Sequence, residues 1–198
     1  MLPPVASRTV GLCLVALLAL CAPARADLRR WTPVSGSTEV GFTASFPLGE
    51  FTGRTQDVRG EVRADPGDLR EGVSGELMVR ASALRTGDDG RDRDMYRTLA
   101  VDQYPDIRFT VLKIEASFPS VTDRADVLLT VSGTMTVRGV ERPMAFPARV
   151  RLRDDRLWVR GEGQLKMSDF GIRPPSRLLL QVKDTVVVTF DLLLGQEP

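Results

Sequence analysis

The chain has 198 residues, with 27 basic against 26 acidic side chains, 2 cysteines and no histidine. A balanced charge argues against a nucleic-acid binder, which shows a basic excess. Without histidine there is no Ser-His-Asp triad and no histidine metal site.

Residues 1–26 read as a secretory signal peptide. Arg8 supplies the positive start, residues 10–22 form an apolar run of 13, and Ala24-Arg25-Ala26 supplies the small-x-small cleavage pattern. The run is shorter than the roughly 20 apolar residues a spanning helix needs. Cys21 follows Leu18-Ala19-Leu20, which resembles a lipoprotein signal. Leu20 stands where such signals keep a small residue, so cleavage after Ala26 fits better. Loss of the first 26 of the 198 residues leaves 172 in one domain, residues 27–198. Both cysteines, Cys13 and Cys21, leave with the signal. The mature form then has no disulfide, no thiolate nucleophile and no cysteine-held zinc or iron–sulfur cluster, even in an oxidising compartment. Arg8 and Arg25 leave too, so 25 of the 27 basic residues face 26 acidic ones.

Past the signal the pattern has period two. Apolar or small residues alternate with polar ones at Thr38, Val40, Phe42, Ala44 and Phe46. The same alternation runs through Val58, Gly60, Val62 and Ala64, through Leu77, Val79 and Ala81, and through Ile107, Phe109 and Val111. A strand of double length follows, from Val127 to Val137. Three more are marked by Met144 to Leu152, by Leu157 to Met167, and by Val186 to Leu192. These are eight expected strands, each with one apolar face, as antiparallel strands with one side in a core require. Turn signals separate them at Asp65-Pro66-Gly67, Arg138-Gly139, Arg153-Asp154-Asp155 and Pro174-Pro175. Closure into a barrel removes the exposed edges of such a sheet. Gly60, Gly133, Gly161 and Gly163 interrupt apolar faces and are expected to mark curvature.

Residues 88–100 (DDGRDRDMYRTLA) break the alternation. Met95 and Leu99 lie four apart, which predicts a short helix capped near Asp88 or Asp92. Asp88, Asp89, Asp92 and Asp94 interleave with Arg91 and Arg93. This reads as a solvated turn with surface pairing rather than a cation site, since the spacing matches no calcium loop. Asp169-Phe170-Gly171 repeats a kinase triplet without the Gly-rich loop or catalytic loop that would give it meaning.

The apolar faces are rich in Phe and Met. Pattern alone allows two readings: an ordinary packed core, or a cavity for an apolar ligand, because an eight-stranded barrel is wide enough for either.

Several motifs stand in an order that resembles the YceI-like family of exported, lipid- or polyisoprenoid-binding proteins. Glu50-Phe51-Thr52-Gly53-Arg54 is similar to its Gly-x-Phe-x-Gly region, and Arg59-Gly60-Glu61-Val62 with Asp65-Pro66 to its next strand and turn. Thr86-Gly87, Arg91-Asp92 and Met95 resemble its helix, and Tyr104-Pro105-Asp106-Ile107-Arg108-Phe109 its Tyr-Pro-x-Ile-x-Phe. Residues 132–140 resemble its Gly-x-Leu-Thr-Ile-His-Gly-Val, and Ser168-Asp169-Phe170-Gly171-Ile172 its Ser-Asp-Phe-Gly-Ile. The likeness spans residues 30–194. It implies an all-β, eight-stranded, antiparallel lipocalin-like barrel with one short helix, in a periplasmic or secreted setting. It also implies an isoprenoid-type ligand in a long apolar cavity. Arg138 stands where many members have histidine, and the helix is shorter than their usual insertion.

The reading that follows is a binding module without catalytic residues, metal or cofactor. Phe42, Phe46, Phe109, Met135, Phe146 and Phe170 are the expected lining, with Met95, Tyr96 and Leu99 in the cover. Arg91, Arg93 and Arg138 are the candidates for a head group, since guanidinium matches phosphate geometry. The expected partner is an isoprenoid-type lipid, with transient membrane contact and no nucleic acid. Two alternatives remain open: an enzyme acting on a hydrophobic substrate through Asp94 or Asp169, and a filled-core interaction protein of the cell envelope.

Overall fold

The computed structural model describes residues 27–123, 125–177 and 180–197, so the expected signal peptide lies outside the described residues. Twelve strands run in chain order: β1 Arg29–Pro33, β2 Glu39–Phe46, β3 Gly49–Thr55, β4 Val58–Ala64, β5 Ser74–Arg80, β6 Asp106–Ala116, β7 Val127–Val137, β8 Val140–Arg153, β9 Arg156–Lys166, β10 Ser176–Arg177, β11 Leu180–Gln181 and β12 Thr185–Gln196. Among the described residues one α-helix, α1 (Asp89–Leu99), lies between β5 and β6.

Ten strands form one antiparallel sheet in the order β1-β4-β5-β6-β7-β8-β9-β12-β2-β3, and β1 also pairs with β12. Strand β12 carries β9 along one edge; its other edge carries β2 over residues 186–191 and β1 over residues 194–196. β1 and β2 are therefore two halves of one wall strand, and β3 and β4 are the halves of the next. Counted this way the wall is a closed, eight-stranded, antiparallel barrel, and its edges pair with each other instead of with water or another chain. β10 and β11 form a separate small hairpin.

The eight expected strands are all present, and the differences have local causes. β1 (RRWTP) is too short to show a period. Pro33 ends it, and Gly36 turns the chain with φ 73° before β2 begins. The Thr38 hydroxyl bridges the break, donating to the Leu193 carbonyl at 3.1 Å. β6 was expected only to Val111 because its alternation fails there. The register shifts between Val111 and Lys113, so two successive side chains leave the interior and Leu112 is 63% exposed. Beyond the bulge the strand resumes its inward pattern with Ile114. Two turns are two-residue hairpins with left-handed backbone at both positions, Arg138-Gly139 (φ 51° and 72°) and Asp154-Asp155 (φ 50° and 54°). That geometry matches the twist of the strands they join.

The end of the barrel away from α1 is closed. Trp31 is fully buried there, and its indole N–H donates to the Ala64 carbonyl at 3.1 Å. Leu69 and Val73 from the β4–β5 loop and Val121 from the β6–β7 loop complete the plug. The two loops are stitched by Leu69 N–H to Pro119 O at 2.7 Å and Val121 N–H to Pro66 O at 2.9 Å.

At the other end α1 is capped by Asp88, whose carboxylate accepts the Arg91 N–H at 2.7 Å, and ended by Ala100 in the left-handed conformation. Asp92 is not the solvated residue the charge pattern suggested. It is 5% exposed and accepts the Thr86 N–H at 2.8 Å and the Thr86 hydroxyl at 2.6 Å. This pair ties the helix to the loop before it. No helix among the described residues is long and apolar enough to cross a membrane.

Candidate functional site

The inward side chains at the α1 end do not fill the barrel. They surround a cavity of about 960 Å³, at the upper end of the range typical for small-molecule sites. Three parts make it. The wall contributes Phe42 and Ala44 of β2, Met135 and Val137 of β7, Leu165 of β9, and Val186 and Val188 of β12. A 3-10 turn after β9, Met167–Phe170, brings Met167 and the buried Phe170 across one side. Helix α1 spans the top with Met95 and Leu99 turned toward the cavity. The helix can do this because Met95 and Leu99 are four apart and share a face.

The charged groups Asp88, Arg91, Asp94 and Arg97, with Thr98, meet the cavity on the α1 side, and Ser176 of β10 is the other polar residue of the lining. Asp94 and Arg97 pair with each other. The Arg91 guanidinium lies 4.9 Å from the centre of the Phe51 ring, and its Nε donates to the Thr86 hydroxyl at 3.1 Å. Phe51 packs edge-on against Phe42, with centroids 6.2 Å apart. Arg91 thereby bridges α1 to the β2–β3 hairpin. The backbone on that side makes only one short ladder, Arg54 N–H to Arg85 O and Arg85 N–H to Arg54 O, both 2.9 Å. Among the described residues every buried side-chain nitrogen or oxygen has a hydrogen-bond partner. What the cavity offers below Asp88, Arg91, Asp94, Arg97 and Thr98 is mainly shape and apolar contact.

The expected site residues fall into three groups. Phe42, Phe46, Met95, Leu99, Met135 and Phe170 line this cavity, as does Arg91 at its rim. Phe109 and Phe146 line a second, smaller space of about 160 Å³ deeper in the barrel; Met135 borders both. Tyr96, Arg93 and Arg138 line neither. The Tyr96 hydroxyl donates to the Leu84 carbonyl at 2.6 Å, and its ring carries Arg85 at 5.5 Å. Arg93 is exposed on the helix. Arg138 sits in the β7–β8 turn and donates to the Gly171 carbonyl at 3.2 Å, holding that turn to the segment after the 3-10 turn. Of the two carboxylates considered for acid–base chemistry, Asp94 is at the rim and Asp169 is exposed on the 3-10 turn outside the lining, so they form no pair. Among the described residues no three His, Cys, Asp or Glu side chains gather where they could hold a metal ion.

The YceI-like domain family matches residues 31–194. The chain belongs to this family. Solved structures agree with the YceI-like fold. Burkholderia cenocepacia BcnA superposes with a TM-score of 0.70 at 16% identity, covering 81% of this chain and 98% of its own. A polyisoprenoid binding domain from Saccharophagus degradans, implicated in plant cell wall breakdown, gives 0.65 at 19% identity, covering 86% and 99%. A Campylobacter jejuni YCEI protein gives 0.58 at 19% identity, covering 74% and 84%. No curated protein is similar in sequence.

Within this YceI-like barrel the sequence reading missed Phe51, Leu84, Leu165, Ile172 and Val182, all of which line the cavity. Leu165 was within reach, since its strand and inward parity were both read. The others stand on β3, on short turns or on the loop before β12, where no period marks which way a side chain faces.

Proposed function

We propose that this protein is an exported carrier that sequesters an apolar lipid, a polyisoprenoid or an isoprenoid quinone, with its tail in the cavity beneath α1. The observation that carries this reading is the cavity itself: about 960 Å³ in the middle of a closed wall, lined by Phe, Met, Leu and Val, with charge only at the rim. A filled-core interaction protein would have no such space. Exposed apolar walls are unfavourable in water, and a buried tail removes both its own apolar surface and theirs, at about 25 cal/mol per Å².

Three features support the isoprenoid form of the reading. One of the solved structures that shares this fold, from Saccharophagus degradans, is described as a polyisoprenoid binding domain. The lining is apolar except for Asp88, Arg91, Asp94, Arg97, Thr98 and Ser176. Arg91 stands at the rim, where a phosphate or quinone head group would rest. It is the head-group candidate in place of Arg93 and Arg138, which lie off the opening. Loading from a membrane brings the β2–β3 hairpin to the lipid surface, where Leu48 at its tip is 76% exposed beside Phe46. Export rests on the signal-like first 26 residues.

Protein purified from its own host without detergent and extracted with organic solvent is expected to release an isoprenoid or quinone detectable by mass spectrometry. A lipid-free extract, together with no uptake when the protein is titrated with such lipids, overturns the reading.

A further inference from the structure

The two spaces inside the barrel share five lining residues, Val40, Val79, Ile107, Met135 and Val188. These mark the level at which the spaces adjoin. Just below that level three phenylalanines reach into the interior from different strands. Phe109 follows Ile107 by two residues on β6, Phe190 follows Val188 by two on β12, and Phe146 of β8 meets both rings. Two residues along a strand is about 6.6 Å deeper on the same face. The rings touch edge to face in a row across the barrel, Phe109 to Phe146 at 5.4 Å and Phe146 to Phe190 at 6.0 Å. All three line the lower space and none lines the upper one.

The wall is built to receive these rings. A Cβ at Gly163 would overlap the Phe146 ring, while at Gly133 and Gly161 it would meet the Thr110 and Pro147 carbonyl oxygens, at 2.1 and 2.4 Å, and then the Phe109 and Phe190 rings, at 2.8 and 2.5 Å. Gly163 is therefore a seat for the Phe146 ring, and Gly133 and Gly161 let both the neighbouring strand and a ring come close. Below the row the lower space has almost wholly apolar walls, including Val131 and Val159. It is closed at its far end by the Trp31 plug. A space of this kind has the chemistry to hold more of the same tail, and the aromatic row crosses it just beneath the level where it adjoins the cavity above.

We propose that Phe109, Phe146 and Phe190 narrow the lower space just beneath the ligand cavity, act as the floor a tail meets there, and so set the greatest tail length the site accepts, with the rest of the lower space held in reserve behind Phe146. This rests on the carrier reading above. Phe146 is the central determinant because it touches both other rings.

The test uses protein expressed from its full-length sequence and delipidated, incubated with phosphatidylcholine vesicles carrying farnesol, geranylgeraniol or solanesol. Uptake is measured by mass spectrometry after the vesicles are removed. The unaltered protein is expected to favour the two shorter alcohols over solanesol by about tenfold, since the part of a long tail left outside stays in contact with water. Phe146→Leu is expected to erase that preference by joining the two spaces, and adding Val131→Phe to fill the lower one is expected to restore it. Phe190→Leu is read in parallel, so a folding failure of one variant, judged by circular dichroism, still leaves the ratio measurable. Equal uptake of all three alcohols by the unaltered protein, or an unchanged ratio in both folded leucine variants, overturns the floor and leaves the carrier reading standing. No uptake of any of the three overturns the carrier reading, and the floor with it.

Discussion

The two ends of this barrel are made from the same eight wall strands with the same inward alternation, yet one end is packed and the other hollow. At the closed end the covering segments are loops that send apolar side chains down the barrel axis: Leu69, Val73 and Val121 meet Trp31 and leave it without solvent contact. At the mouth the covering segment is a helix. Its axis lies across the opening, so only one face can approach the cavity, and Met95 and Leu99 form a ceiling rather than a plug. The lesson is that the shape of the cover, more than the composition of the wall, decides whether a small barrel is filled or open. A helix about 10 Å across bridges a gap without descending into it.

The sharpest way to break this comparison is at Trp31. Trp31→Ala removes the largest fully buried side chain and its hydrogen bond to Ala64, and is expected to lower unfolding free energy by about 3–5 kcal/mol in urea titration. An effect under about 1 kcal/mol would mean that the closed end is no more a core than the mouth. Next in size, Asp92→Ala leaves the Thr86 N–H and hydroxyl without their acceptor, at about 1–3 kcal/mol. The loss is expected to be local, with amide exchange accelerating in residues 86–99 and little changed in β7, β8 and β9.

Met95→Glu tests the mouth directly. A carboxylate under the ceiling is expected to weaken lipid uptake by about tenfold or more while changing stability of the empty protein by only about 0.5 kcal/mol. If stability falls as far as for Trp31→Ala, the mouth is a packed core after all. Arg91→Gln is a smaller change. Losing the contact over Phe51 is worth about 0.5–1 kcal/mol and is expected to raise the release rate of bound lipid about two- to fivefold.

The smallest expected effect is a pH dependence at the mouth. The hydroxyl of Ser168, and then its N–H, donate to Asp184 and hold that carboxyl below the usual carboxylate range. The pKa is lower in the folded state, so the stabilisation is fully present above the ordinary carboxylate range. It is lost as pH falls through the folded value. Asp184→Asn is expected to flatten the acid limb of stability slightly and leave neutral pH less stable than the parent. An unchanged acid limb removes the link between this pair and the 3-10 turn that carries Phe170.

Much of this was legible before the structure. Period two marked all eight wall strands because each faces apolar space on one side and water on the other. The helix over 88–100 showed through Met95 and Leu99, and the hairpins through Arg138-Gly139 and Asp154-Asp155. Six of the nine expected apolar site residues line the upper cavity, and for five of them, all but Phe170, inward parity could be counted along β2 and β7 or read from the helix spacing. What failed were positions whose role depends on a contact that only the folded chain makes. Phe51 sits on a strand with no period, and Asp92 looked like surface charge because Thr86 reaches it only through the fold of the loop. Phe109 and Phe146 have the right parity but the wrong depth, and depth comes from strand stagger, which parity does not contain.

The amino-acid pattern by itself determined that the interior of this protein is apolar, that its wall is antiparallel, and that it has no histidine chemistry to offer. Whether that interior is full or empty was decided only in three dimensions. An inward side chain obeys the same alternation whether it meets another side chain or open space. The balance between the two is set by how far apart the walls stand and by what closes each end. Here loops and Trp31 close one end, a helix roofs the other, and three rings cross the space between them.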